Sequence, residues 1–137
     1  MIIADTSGLL ALFNRREAAH PSVTRAVEQT DAPLVISPFV VAELDYLVAT
    51  RLGVDAELAV LGELASGAYD LAELGTEDLA MCGAVVERYR DQEIGVTDAS
   101  LVVLASRNRT RSILTLDRRH FGVLRPLDGG HFKLVGT

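Results

Sequence analysis

The sequence predicts an α/β domain in which helices cover both faces of a parallel sheet. Two observations carry this reading. Short, β-branched apolar runs alternate along the chain with longer stretches of helical period. Those short runs are apolar throughout, as strands buried on both faces are. No repeat, linker or composition break divides the 137 residues, so residues 1–137 read as one domain.

The elements follow in order. Ile2-Ile3-Ala4 is the first strand, and a helix covers Gly8–Phe13. Pro21 opens a second short helix running to about Gln29, and Leu34-Val35-Ile36 is the second strand. Ser37-Pro38 is a strong helix start, since proline is tolerated at the first helical position. That helix runs to about Arg51 and Gly53 ends it; another covers Asp55–Ser66 and is closed by Gly67. Tyr69-Asp70-Leu71 is a weak strand. Thr76, with Glu77 and Asp78 in the first turn, starts a helix to about Tyr89. Thr97–Asn108 is the next helix and Ile113-Leu114-Thr115 the next strand; beyond Gly129-Gly130, Phe132–Val135 is a marginal last one.

Composition narrows the classes. With 49% apolar residues and a mean hydropathy of +0.26, the chain is not disordered. No apolar run approaches the roughly 18 residues that span a bilayer. Asp5 interrupts MIIADTSGLLALF and no basic stretch precedes it, so a secretory signal is not expected and the predicted location is cytoplasmic. The single cysteine, Cys82, excludes an internal disulfide and a cysteine-based zinc cage; in its apolar, helix-like stretch it reads as a small buried hydrophobe. The formal net charge of −6 argues against a protein that coats nucleic acid non-specifically. Yet residues 103–137 carry +5 and the first 102 carry −11. A basic final third permits a phosphate-bearing substrate at one surface, with solvated surface arginines as the plainer account.

In parallel sheets, ligands bind beyond the carboxyl ends of the strands. Asp5 directly follows the first strand, and Asp117 follows Ile113-Leu114-Thr115 after one more residue. Either also suits the N-cap of a following helix. Glu43 is flanked on its helix by Phe39 and Leu47, about 40° to either side, and by Val40 and Tyr46 about 60° away. An acid in an apolar stripe calls for a partner, either a salt bridge or a bound cation. Asp98 opens another helix with Leu101, Val102 and Ala105 on its face, and so points to the core side; a helix N-terminus alone also favours an acid there. Converging carboxylates repel by ~4 kcal/mol per close pair at an effective dielectric of 20. Oxygen donors without nearby cysteine or histidine then favour Mg²⁺ or Mn²⁺ over zinc. His20 and His131 show no ligand spacing, and His120, beside Asp117, Arg118 and Arg119, reads as a surface residue with substrate contact as the alternative. Ser7 lacks a histidine partner for nucleophilic catalysis and reads as a supporting hydroxyl near Asp5. No GxGxxG or GxxxxGK[ST] is present, which leaves dinucleotide and P-loop nucleotide binding unsupported.

With the acids in the order Asp5, Glu43, Asp98, Asp117, the chain resembles the PIN-domain family, and within it the small VapC-type ribonuclease toxins of type II toxin–antitoxin pairs. The matching segments are IIADTSGLLALF, SPFVVAELDYLV, IGVTDASLVVLASR and ILTLDRRHF, which together span residues 2–121. The resemblance implies a three-layer α/β/α fold with a mainly parallel sheet of four or five strands. It further implies an endoribonuclease dependent on Mg²⁺, with Mn²⁺ as substitute. Asp5, Asp98 and Asp117 match the family's metal-binding aspartates, Glu43 its acidic helix residue, and Ser7 and Thr115 supporting hydroxyls; Asp91 matches a further acid, with a plain loop charge as the alternative. A cognate VapB-like antitoxin and a homodimer are also implied, with apolar residues around Phe39–Val48 and Asp55–Ser66 available for contacts.

On this reading the three aspartates hold the ion and Glu43 orients or deprotonates the attacking water, while Arg118, Arg119, Arg15 and Arg16 grip flanking phosphates. In-line attack leaves 5′-phosphate and 3′-hydroxyl ends. Two alternatives stand beside it. An aspartyl-phosphate phosphatase or phosphotransfer domain also places Asp after its first strand, but residue 7 is Ser where such phosphatases need a second Asp, and the only lysine is Lys133. A non-catalytic regulatory module would use the acids only as caps and salt bridges.

Overall fold

The computed structural model describes residues 1–137. Its elements are β1 (Ile3–Ala4), α1 (Thr6–Phe13), α2 (His20–Glu28), β2 (Val35–Ile36), α3 (Pro38–Leu52), α4 (Val54–Leu64), β3 (Asp70–Leu71), α5 (Thr76–Arg88), α6 (Val96–Arg107), β4 (Ser112–Leu114), α7 (Arg118–Val123) and β5 (Lys133–Val135), with one 3-10 turn at Arg90–Gln92 between α5 and α6. The five strands form one sheet in the order β3-β2-β1-β4-β5, and every pairing is parallel. The fold is therefore the α/β class expected, at the upper strand number.

Ile3, Ala4, Val35, Ile36, Ile113 and Leu114 are all at most 1% exposed. That burial on both faces explains why these strands read as continuous apolar runs. The chain walks from β1 through β2 to β3 on one side, then returns past β1 to β4 and β5 on the other. Crossovers of the usual right hand turn that reversal into helical layers on both faces. The reversal also opens a crevice at the carboxyl ends of β1 and β4, where such sheets bind ligands.

Two contacts fix the helices around this crevice. A Cβ on Gly8 would stand 2.5 Å from the Leu114 carbonyl oxygen, so α1 presses onto β4 closer than any side chain permits. At the start of α3, the Ser37 hydroxyl accepts the Phe39 amide (3.2 Å) and lies 2.8 Å from Ser100 Oγ, which itself donates to Thr97 O. Both serines are fully buried. Their bond ties the first turn of α3 to the first turns of α6, the two helices that carry Glu43 and Asp98.

Differences from the predicted elements are local. Helix α1 starts at Thr6 rather than Gly8, and Thr115 lies beyond its strand. Helix α7 has no counterpart among the predicted elements, being only six residues long and opening on two arginines. Cys82 is buried as predicted, and burial pushes its thiol up.

Candidate active site

Asp5 leaves the end of β1 with its amide donating to Leu114 O (2.9 Å), which seats it beside β4. It occupies the N-cap position of α1 but its side chain caps nothing. Instead Oδ2 accepts from Thr115 Oγ1 (2.7 Å) and Ser7 Oγ (3.1 Å). Each hydroxyl has one proton, so both are spent on Asp5, and each oxygen in turn accepts a backbone amide: Asp117 N to Thr115 and Leu116 N to Ser7, both 2.9 Å. Ser7 and Thr115 thus align both Asp5 and the segment that leads to Asp117.

Asp98 sits in the first turn of α6 and Asp117 at the start of α7. One Asp117 oxygen caps α7 by accepting the His120 amide (3.0 Å). Its other oxygen lies 3.0 Å from His120 Nδ1, which is also 3.3 Å from Asp98 Oδ2. Capping and cleft lining, alternatives in the sequence, are both roles of this one residue. Asp5, Thr6, Ser7, Leu10, Glu43, Leu47, Arg51, Asp98, Asp117 and His120 line a single cleft of about 320 Å³.

The electrostatics are those of crowded acids. The Asp98 carboxyl is pushed up to about 6, first by burial, then by the charges of Asp5, Asp117 and Glu43, with His120 opposing. Burial likewise raises Asp5 above the usual carboxylate range, outweighing the hydrogen bonds from Thr115 and Ser7, while the charge of Asp117 adds to the rise. Thr6 Oγ1 is buried with no hydrogen-bond partner at the same place. Hard oxygens in negative excess, beside an orphaned hydroxyl, fit a divalent cation of the Mg²⁺ type. As the side chains stand, no three acidic, histidine or cysteine groups close on one point at ligand distance. Asp98 and Asp117 are turned to His120, and Asp5 to its hydroxyls.

The PIN domain family profile matches residues 2–124. The chain belongs to the PIN-domain family. Ribonuclease VapC26 of Mycobacterium tuberculosis is 56% identical over 134 residues, covering 98% of this chain and 99% of that protein, which puts the chain among the VapC-type ribonuclease toxins of that family. Several solved structures share the fold, VapBC complexes among them. Mycobacterium tuberculosis VapC20, described as a Sarcin-Ricin loop cleaving toxin, has a TM-score of 0.79 at 20% identity, over 87% of this chain and 92% of that one. The DNA-bound VapBC of Salmonella typhimurium has a TM-score of 0.70 at 18% identity, over 97% and 96%.

In this PIN domain three sequence expectations, those for Glu43, Asp91 and His120, need correction. Glu43 is not held inside an apolar stripe: α3 buries Val40, Leu44 and Val48, a face turned about one residue away, and Glu43 is exposed at the cleft without an ion pair. Asp91 lies exposed on the 3-10 turn, away from the cleft lining, as the plain loop charge does. Arg118 and Arg119 are exposed on α7, and Arg15 and Arg16 in the turn after α1, all outside the cleft lining, as an expected grip on flanking phosphates beyond the acidic centre allows. His120 is no bystander, since it bridges two of the acids. Sequence reasoning also passes over Arg51 as a cleft residue, although Glu43, Leu47 and Arg51 form an i, i+4, i+8 row along α3. Recognising α7 would have placed His120 three residues from Asp117 on the same side of a helix.

Proposed function

We propose that this PIN domain is a Mg²⁺-dependent endoribonuclease, with Mn²⁺ as substitute, acting in the cytoplasm as the toxin of a toxin–antitoxin pair. The observation that carries the reading is the meeting of Asp5, Asp98 and Asp117, with Glu43, at the carboxyl ends of β1 and β4, where the charges of the other three raise the proton affinity of Asp98. Asp5, Asp98 and Asp117 are the residues that would hold the ion. When bound, a divalent cation lowers the pKa of a water and neutralises charge that builds on the phosphate. Thr115 and Ser7 keep Asp5 aimed into the cleft, and the exposed Glu43 carboxylate accepts a proton from the attacking water. Leu10 and Leu47 line the same cleft and limit solvent around the acids.

Family membership and the likeness to VapC26 support the ribonuclease reading. The VapBC complexes among the fold neighbours support a VapB-like antitoxin as partner. Tyr46, Val54 and Leu58, each more than 60% exposed on α3 and α4, supply apolar surface for that partner or for a homodimer.

Incubation of structured RNA with the protein in Mg²⁺, beside a chelated control, tests the reading. Expected are 5′-phosphate ends that appear with Mg²⁺ or Mn²⁺ and vanish with EDTA, Asp5→Asn or Asp98→Asn. Cleavage that survives both chelation and Asp5→Asn would refute it.

A further inference from the structure

The cleft presents a polyanionic substrate with an electrostatic problem. Four acids line it, and one divalent ion leaves them in negative excess. Two nitrogen-bearing basic side chains share the wall, Arg51 and His120. His120 is engaged by Asp98 and Asp117. Arg51 is exposed and enters none of the molecule's ion pairs, although Glu43 stands on the same helix row. The rise of α3 sets the backbones of Glu43 and Arg51 ~12 Å apart along the helix. A guanidinium offers a planar fork suited to phosphate oxygens.

Resting on the nuclease reading above, we infer that Arg51 holds an RNA phosphate next to the one attacked, clamping the strand along α3. This makes Arg51 a substrate-binding residue, distinct from the four acids. A rival role exists, because Arg51 lies in the last turn of α3, where a cation is favoured by the helix dipole. That role predicts an effect on stability alone.

The test uses the full chain and a fluorescein-labelled, single-stranded 12-mer RNA. Binding is followed by anisotropy in EDTA, so that no cleavage accompanies it, across a salt series; kcat and KM are measured separately with Mg²⁺. Arg51→Ala is expected to weaken binding about fivefold, raise KM by a similar factor, and lower the slope of log Kd against log salt by about 0.7. Arg51→Lys should recover part of the loss, and Arg118→Ala or Arg119→Ala should cost less. Unchanged Kd and KM in Arg51→Ala, or a loss confined to Tm, overturns the inference. So does a fall in kcat with KM untouched, which would move Arg51 to the reacting phosphate. If the wild type cleaves but Arg51→Ala binds as well as it does, this inference alone fails; if the wild type neither binds nor cleaves RNA, the nuclease reading fails and takes it along.

Discussion

His120 Nδ1 stands 3.0 Å from Asp117 Oδ2 and 3.3 Å from Asp98 Oδ2, so one imidazole joins the acids of α7 and α6. On the proposed function, a divalent ion would compete with that ring for the same oxygens. His120→Ala is therefore expected to lower Tm in EDTA by a few degrees and to enlarge the rise in Tm on adding Mn²⁺. Thermal scans of both proteins, with and without Mn²⁺, check this. Equal Mn²⁺ shifts would show that ring and ion do not compete.

Asp98 gives the metal-free protein a pH dependence of definite sign. Its carboxyl titrates near 6 when folded, against an ordinary 3.8, so the folded chain binds the proton more tightly than the unfolded one. Stability is therefore lost as pH rises through that window and stays lost above it. The groups facing Asp98 are Asp5, Asp117 and Glu43, which oppose its charge, and His120, which favours it. Asp98→Asn in EDTA should be more stable than wild type by roughly 1 kcal/mol near neutral pH, the partial exposure of the site having screened a larger effect. The advantage should disappear below about pH 4. A gap that does not change with pH would show that Asp98 is not under this load.

Thr115 is buried and its hydroxyl serves three neighbours: it donates to Asp5, accepts from the Asp117 amide and touches Ser7. Thr115→Val keeps the shape and strands an acid and an amide. The expected cost is about 2–3 kcal/mol in urea unfolding, together with a fall in cleavage from a misaligned Asp5. Thr115→Ser should restore most of both.

Gly8→Ala tests the seat of α1. The added methyl would fall 2.5 Å from a backbone oxygen of β4, which has no rotamer by which to escape. A loss of about 1–3 kcal/mol is expected, despite alanine's better helix propensity. A neutral or stabilising result by chemical denaturation would show that α1 can lift away from the sheet.

The part of the site legible in the sequence is the part set by topology. Asp5 and Asp117 each come just after a strand, and parallel strands deliver their next residues to one shared edge, so both acids can be placed without coordinates. Asp98 is legible because the first turn of α6 is flanked by a long run of buried residues, Ala99–Ala105. Glu43 is misjudged because α3 has apolar residues on several sides: Phe39, Tyr46 and Leu47 look like core on a helical wheel, while Tyr46 is 67% exposed. Only packing against α1, α4 and α6 together decides which face turns inward. His120 reads as a surface residue because its role depends on α7, whose six residues are too few for a periodic signal. Arg51 is missed as a cleft residue because its row with Glu43 and Leu47 becomes visible only once Glu43 is seen to face the cleft.

The hydroxyl bond between Thr115 and Asp5 spans 110 positions of chain. During translation the amino-terminal acid leaves the ribosome long before its anchor does, and Asp117 emerges later still. A nascent polypeptide thus carries an unfinished catalyst through nearly its whole birth, and becomes competent only when β4 docks beside β1. The wide separation of the two residues acts as a timer: the acidic cleft is assembled only once the closing strands have been threaded into place.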